Sequence, residues 1–253
     1  MIDTHTHLYS EELANDLDEG IKRALALGVS KFYMPAIDCT THKRMIALEA
    51  AYPGVLFSMI GLHPCSVKEN YLKEIAVIED YLTKRRFAAI GETGLDFYWD
   101  TTFKNEQYKA LEMQVELALQ YKLPLVLHTR NAMQETIDFI KNYKGTALKG
   151  IFHCFGGTIN EAREIIDCGF LLGIGGVLTY KKAGVDKVLP EIGMEHIVLE
   201  TDAPYLSPVP YRGKRNESAY LVEVVKKLAE IKGISVEEVD RITTQNAENL
   251  FGK

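Results

Sequence analysis

Eight short apolar runs, rich in β-branched and aromatic residues, recur along this 253-residue chain and alternate with longer stretches of helical periodicity. Such alternation is typical of repeated βα units around a parallel sheet. The predicted strands span residues 1–5, 31–37, 55–61, 87–92, 125–128, 148–154, 170–174 and 197–201. Eight strands in about 250 residues fit a (β/α)8 TIM barrel better than an open doubly wound sheet.

The helical periodicity is clearest over 71–85 and 105–121, and two closing helices are predicted over 217–231 and 235–249. A proline-rich loop, 203–210, and a basic segment, 212–216, separate the last strand from these closing helices. No low-complexity stretch, internal repeat or long linker divides the sequence. We therefore predict one domain over 1–253.

The composition excludes several classes of protein. Hydrophobic residues make up 47% of the chain and charged residues 25%, as in an ordinary globular protein with a sizeable core. No apolar run approaches the roughly 18 residues that span a bilayer, and the first residues lack a secretory-signal layout, which predicts a cytoplasmic protein without a membrane partner. The formal charge of −6 argues against a broad basic face for nucleic acid but leaves room for a local anion site.

Two other kinds of site find no support in the sequence. The four cysteines form no C-x-x-C pair, so buried reduced thiols are expected rather than disulfides or a thiolate zinc site. The chain contains neither a P-loop nor a G-x-G-x-x-G motif, which removes the usual support for ATP or dinucleotide binding.

Histidines and acids collect at the predicted strand ends. Because the C-terminal ends of all the strands open onto one face of such a barrel, residues far apart in sequence converge there. His5 and His7 are spaced i, i+2, which places both imidazoles on one side of an extended strand. By contrast, His42 in a helix and His196 before a strand are expected to have surface or capping roles. The residues at strand ends are His5, His7, His63, Glu92, His128, His153 and Asp202.

Imidazoles and carboxylates without thiolates suit zinc, manganese, iron, nickel or cobalt, and with several waters they also suit magnesium. A single histidine is more often a hydrogen-bonded structural residue, so the coincidence at the ends of different strands is what favours a metal site. Two ions roughly 3.5 to 4 Å apart need a bridging carboxylate or hydroxide, and Glu92 is the natural bridge.

Seven ordered motifs extend this pattern along nearly the whole chain: DTHTHL at 3–8, GLHP at 61–64, GETGLDFY at 91–98, LPLVLHTR at 123–130, FHCFGG at 152–157, LETDAPYL at 199–206 and RGKRNE at 212–217. With these motifs the sequence resembles the TatD family of metal-dependent hydrolases, relatives of the amidohydrolase superfamily. The resemblance implies two divalent metal ions, with magnesium, manganese and zinc as candidates. It implies that one ion is held by His5, His7, Glu92 and Asp202, and the second by Glu92, His128 and His153.

The family is best associated with hydrolysis of DNA from the 3′ end. The resemblance therefore implies a phosphodiester hydrolase whose catalytic residues are Asp202 and Glu92, with Asp202 helping to deprotonate the attacking water. We expect His63 and Arg130 to donate to a phosphate oxygen, and segment 212–216, through Arg212 and Asn216, to meet the neighbouring phosphate. Single-stranded DNA or frayed ends are the expected substrates, since a recessed site does not easily admit a duplex.

Each expected contact has a structural alternative. His63 could cap a turn, Arg130 could pair with an acid, and the basic segment could be an ordinary solvated loop. Asp96 is expected to fix a loop or orient a ligand rather than to bind metal. Phe97, Tyr98 and Trp99 could stack on an unpaired base or wall the pocket, and for Trp99 the wall is favoured.

Two other functions remain open from the sequence. An amidohydrolase acting on a small ester, lactone or amide would use the same barrel and metals, whereas a non-catalytic scaffold would bind without turnover. The intact set of strand-end residues argues against the scaffold. Glu92, with His63 and Arg130 as anion donors, favours phosphoesters over small neutral substrates.

Overall fold

The computed structural model describes residues 1–252, in which parallel strands alternate with helices. The strands are β1 (Ile2–Asp3), β2 (Lys31–Met34), β3 (Leu56–Ser58), β4 (Ile90–Asp96), β5 (Leu125–Arg130), β6 (Gly150–Phe152), β7 (Phe170–Ile174) and β8 (Ile197–Leu199). The helices are α1 (Leu17–Ala26), α2 (Cys39–Ala51), α3 (Tyr71–Lys84), α4 (Lys104–Tyr121), α5 (Met133–Lys141), α6 (Ile159–Asp167), α7 (Val185–Val188), α8 (Leu221–Lys232) and α9 (Val236–Phe251). This architecture is the predicted (β/α)8 TIM barrel.

Backbone hydrogen bonds close the strands into a ring. The strands pair in chain order within two runs, β1 to β3 and β4 to β8. A parallel bridge between Ile60 and Ile90 joins the two runs beyond the end of β3. At the other seam the amide of Thr4 donates to the carbonyl of Leu199 at 2.9 Å, and the Thr4 hydroxyl donates to the same oxygen. The first and last strands are therefore neighbours.

The barrel is apolar inside at its N-terminal end. Seven of the strands or their flanks contribute one buried side chain to an interior layer: Ile2, Tyr33, Met59, Ala89, Val126, Ile151 and Val198. Helix α9 covers this layer, with the Phe251 ring stacked on Tyr33 at 3.9 Å between centroids. A second, larger core fills the space between the strands and the surrounding helices. With the base of the barrel filled, the polar strand-end residues are left to the opposite face.

Close strand packing depends on one glycine in particular. A Cβ atom at Gly150 in β6 would lie 1.9 Å from the carbonyl oxygen of Leu125 in β5. Real side chains do not approach that closely, so only glycine fits this register.

The strand boundaries differ most from prediction at β4, which was expected to end at Glu92 and continues to Asp96. Its register against β5 shifts between Ile90 and Thr93. The continuation carries buried polar groups, and α4 satisfies them: the Gln107 side-chain oxygen accepts the Asp96 amide at 2.9 Å. A strand whose polar residues are paired with a helix does not show up as an apolar run.

Other expectations fare differently. The four cysteines are free, as predicted, but half-buried rather than buried. His42 in α2 was expected at a surface or cap; this is wrong, because it is only 1% exposed and packs edge-on against Tyr81 of α3. Within residues 1–252, no helix combines the length and apolar character needed to cross a membrane.

Candidate metal centre

All seven strand-end residues predicted from the sequence meet at the C-terminal face of the barrel, with Glu92 in the middle. Glu92 Oε1 lies 2.8 Å from His128 Nδ1 and 3.4 Å from His153 Nε2. Glu92 Oε2 lies 3.1 Å from His5 Nε2 and 3.8 Å from His7 Nε2. The two oxygens of one carboxylate thus face two different pairs of imidazoles, as a bridge between two cations requires.

Asp202 completes the group around His5 and His7. Its Oδ1 atom lies 3.4 Å from His7 Nε2 and 3.7 Å from His5 Nε2. Three sets of residues could each hold a metal ion, because the donor atoms within a set lie within 4.8 Å of one another. The sets are His5, His153 and Asp202; His5, His7 and Glu92; and His63, Glu92 and His128. Nitrogen and carboxylate oxygen donors without sulfur are the set that divalent transition ions accept.

Hydrogen bonds outside the centre orient the imidazoles. The Tyr9 hydroxyl donates to the Pro35 carbonyl at 2.6 Å, so it accepts from His7 Nδ1, which lies 3.0 Å away. A neutral His7 then carries its proton on Nδ1 and turns the lone pair of Nε2 toward the carboxylates. An imidazole oriented in this way is the form that ligates a metal.

Two buried carboxylates, Glu200 and Asp96, orient two further imidazoles, those of His153 and His128. His153 Nδ1 lies 3.0 Å from Glu200 Oε1, and His128 Nε2 lies 2.9 Å from Asp96 Oδ2. If each nitrogen donates its proton to that acid, the remaining nitrogen of each ring points a lone pair at Glu92. Lone pairs facing a carboxylate at these distances call for a proton or a cation between them, so the residues fit a bound metal.

His63 is arranged differently from the other imidazoles. Its Nδ1 atom accepts the amide of Cys65 at 3.0 Å and so caps a short 3-10 helix. A neutral His63 therefore keeps its proton on Nε2, which lies 3.5 Å from Glu92 Oε1. The ring caps a turn and also faces the centre, where its N–H can donate to an anion.

The electrostatics match a site built for positive charge. Burial raises the pKa of Glu92, but the surrounding histidines, His5 first among them, outweigh burial and hold this pKa well below its usual value. Burial lowers the pKa of His153, yet Glu200 and Glu92 outweigh it and raise the pKa to about 10. A cation that binds here replaces such a proton, since histidine ligates in its neutral form.

Sequence reasoning missed the role of Glu200. Its side chain is fully buried, Oε1 also accepts the Cys154 amide at 2.7 Å, and Oε2 has no partner in the described part of the chain. Glu200 stands at i, i+2 to Asp202, the spacing that singled out His5 and His7. That spacing was the available signal.

Asp3 joins the first strand to the loop that carries Asp202. Its Oδ2 accepts the Thr201 hydroxyl at 2.7 Å and its Oδ1 accepts the Thr201 amide at 3.0 Å. Burial raises the pKa of Asp3 to about 7. Residues on both sides of the barrel seam are thereby fixed relative to each other.

The predicted substrate contacts separate into exposed and buried ones. Arg130 forms no ion pair within residues 1–252, so its suggested pairing with an acid is wrong. Arg212 is exposed and lies over the Tyr180 ring at 4.1 Å. Asn216 is fully buried, and its amide nitrogen donates to the carbonyls of Thr201 and Tyr205. This burial gives Asn216 a structural role and does not support the predicted phosphate contact.

Elsewhere in the basic segment, Arg215 is not freely solvated. Its guanidinium pairs with both carboxylate oxygens of Asp16, at 2.6 and 2.7 Å, and anchors the loop to the start of α1. The segment therefore contributes an anchor as well as exposed cations.

A parallel barrel with a buried histidine–carboxylate centre at its C-terminal face fits a metal-dependent enzyme, and the related proteins identify the class as the metal-dependent hydrolases. The family model described as TatD related DNase matches residues 2–252, and the chain belongs to this TatD family. It is 36% identical to the metal-dependent hydrolase YabD of Bacillus subtilis over 99% of this chain and 98% of that protein. It is 32% identical to the metal-dependent hydrolase TatD of Mycobacterium tuberculosis over 100% of this chain and 98% of that protein.

A solved structure supports the same assignment. The crystal structure of YJJV, a TatD homologue from Escherichia coli K12, superposes with a TM-score of 0.94 at 26% identity, covering 100% of this chain and 98% of that one.

Proposed function

We propose that this hydrolase cleaves phosphodiester bonds of DNA, acting from the 3′ end of single strands with two divalent ions. The observation that carries the proposal is the position of the Glu92 carboxylate, whose two oxygens face separate pairs of imidazoles. The family model named for DNases supports a nucleic acid as the substrate. His5, His7, Glu92 and Asp202 would hold one ion, and Glu92, His128 and His153 the other. When bound, two such ions activate water and neutralise charge on phosphate oxygens.

Asp202 is the carboxylate best placed to move a proton. Its side chain is 14% exposed, whereas that of Glu92 is 2% exposed. Burial raises the pKa of Asp202, but the histidines, His7 first, outweigh it and hold the pKa below its usual value. Asp202 is therefore ionised at neutral pH and can accept a proton from an attacking water that arrives from solvent.

Two cationic or proton-bearing groups can bind the scissile phosphate. His63 directs its Nε2 proton into the centre, and Arg130, at the end of β5, keeps its guanidinium free of carboxylates in the described chain. Charge-assisted donors of this kind stabilise the negative charge that develops on phosphate oxygens during displacement.

The test is hydrolysis of a labelled single-stranded oligonucleotide by chelated protein to which magnesium, manganese or zinc is added separately. We expect metal-dependent shortening from the 3′ end. Glu92→Ala and Asp202→Asn should each lower kcat/KM by at least about 100-fold, since each removes several kcal/mol of charge stabilisation. Asp167→Asn, at an exposed helix end, is the matched control. Activity confined to lactone, ester or amide substrates would overturn the proposal, and full activity in both variants would refute the assigned roles.

A further inference from the structure

Two exposed aromatic side chains beside the centre have no role in the steps above. Tyr98 is 51% exposed and Trp99 is 67% exposed, so Trp99 does not wall the pocket as the sequence suggested. The guanidinium carbon of Arg130 lies 4.1 Å from the Tyr98 ring centroid and 5.1 Å from that of Trp99. These distances are within the roughly 6 Å of a cation–π contact. Tyr98, Trp99 and Arg130 are together called the aromatic platform.

One carboxylate ties the platform to the metal centre. Asp96 Oδ1 accepts the amides of Tyr98 and Trp99 at 2.9 and 3.1 Å, and Asp96 Oδ2 lies 2.9 Å from His128 Nε2. Arg130 follows two residues after His128 on β5 and pairs with Asp96 in the sheet register. The platform is thus fixed relative to a candidate ligand, and little ordering is needed when a substrate binds.

We propose that the platform binds an unpaired base of the nucleic-acid substrate, stacked on the exposed ring of Trp99, while Arg130 directs its N–H groups to the adjoining phosphate. This inference rests on the proposed phosphodiesterase function. Every base has a π face, so such stacking tolerates any sequence. A base in a duplex is already stacked on its neighbours and is not free for Trp99. The platform therefore selects single strands.

The positive charge of Arg130 at the platform favours a nucleotide over a purely apolar partner. The chain carries a formal charge of −6, yet the side chain beside the two exposed rings is an arginine without a carboxylate partner in residues 1–252. A guanidinium stacked on a ring keeps its donors available in its own plane for bidentate contact with phosphate. An aromatic face next to a free phosphate donor matches a nucleotide, which presents a base and a phosphate together.

Tryptophan fluorescence gives a direct test of binding. Trp99 is the single tryptophan of the chain, so its emission reports on the platform alone. Protein treated with EDTA is titrated with single-stranded oligothymidylate and with an oligonucleotide of equal length whose sugars lack bases. We expect quenching by the thymine oligonucleotide and little by the abasic one. Equal quenching by both, or none by either, would overturn the platform.

Kinetics give a second test that separates the platform from the proposed function. Trp99→Ala should raise KM for oligothymidylate by about 5- to 20-fold, within the range that base stacking supplies, with kcat little changed. Trp99→Phe should restore most of the loss, and Trp99→Ala should leave KM for the abasic oligonucleotide unchanged. Leu27→Ala, which removes another exposed apolar side chain just after α1, is the control.

The possible failures are distinguishable. If wild-type protein cleaves oligothymidylate and Trp99→Ala has the same KM, the platform is wrong and the nuclease function stands. If wild-type protein cleaves neither oligonucleotide, the proposed function is wrong, and the quenching experiment alone decides whether the platform binds bases.

Discussion

At the residue scale, the chemistry of the centre depends on side chains that do not themselves face the ions. Tyr9, Asp96 and Glu200 each form a hydrogen bond with one ring nitrogen of a histidine and so determine which nitrogen faces Glu92. Such outer contacts fix the orientation and basicity of a ligand. They also explain why the centre tolerates so many buried ionisable groups: almost every one has an assigned partner.

Glu200→Gln should weaken metal binding about 10- to 100-fold, because the neutral amide no longer attracts the Nδ1 proton of His153 and the ring loses its fixed orientation. At saturating metal kcat should recover. Metal affinity is measured by titration of the chelated protein. Glu195→Gln, whose side chain is 71% exposed, is the matched control. An unchanged dissociation constant in Glu200→Gln would show that His153 does not depend on this acid.

The residue types of the centre could be read from the sequence, as could the orienting role of Asp96, which contacts His128. The two other outer partners, Tyr9 and Glu200, were not predicted. A histidine or acid at a strand end is visible once the strand is predicted. Whether Glu200 or Asp202 points to the ion depends on how the backbone leaves β8, where Asp202 has a positive φ of 56°. That conformation breaks the strict alternation of side chains on which strand patterns rely. Asn216 was expected to contact a phosphate, and it lies buried because its amide nitrogen donates to the carbonyls of Thr201 and Tyr205, partners that come together only in the folded loop.

At the element scale, the long loop after β8 is held by a few polar anchors rather than by secondary structure. Asn216→Ala removes the donor to two main-chain carbonyls, Thr201 and Tyr205, in a buried setting. We expect the free energy of unfolding to fall by about 1 to 3 kcal/mol, the cost of leaving buried acceptors unpaired. Urea denaturation measures the change. Asn142→Ala, on the exposed end of α5, should change stability by less than about 0.5 kcal/mol.

Substitution of two glycines, one in a strand and one in a helix, tests the close packing of β5 against β6. Gly150→Ala places a Cβ against the Leu125 carbonyl and should lower the free energy of unfolding by about 3 kcal/mol or more, because β5 and β6 must separate. Gly20→Ala in α1 meets only ordinary contacts and should raise it by up to about 1 kcal/mol through helix propensity. Thermal melts of both variants measure the difference. Equal effects would contradict the close packing of β5 and β6.

Element boundaries were predictable where local signals mark them. Helix α6 begins after Thr158, whose side chain and that of Glu161 form a capping box, and β7 spans the predicted residues because its apolar run is continuous. The end of β4 was missed because its polar residues are paired with α4, a contact that exists only in the folded chain. Local sequence carries no record of such a partner.

At the scale of the whole molecule, ion binding and folding are coupled. Removing metal with EDTA should lower the melting temperature by about 5 to 10 °C relative to protein with metal at roughly 100 times its dissociation constant, which stabilises by about 2.7 kcal/mol. Re-adding metal should restore it. Differential scanning calorimetry provides the measurement. Glu92→Ala is the control, and a shift of equal size in that variant would place the ions elsewhere.

The seam between β1 and β8 sets an order of events during synthesis. Asp3 and the Thr201 that it binds are 198 residues apart in the chain, and Asp202 is the last of the seven strand-end residues to leave the ribosome. A nascent chain displays His5 and His7 first but cannot assemble the group that includes Asp202 until the final strand reaches the first. Assembly of the group that includes Asp202 thus marks the completion of the ring, whereas the set of His63, Glu92 and His128 is complete before β8 is made. Chains that end before Asp202 lack the carboxylate that we propose accepts the proton.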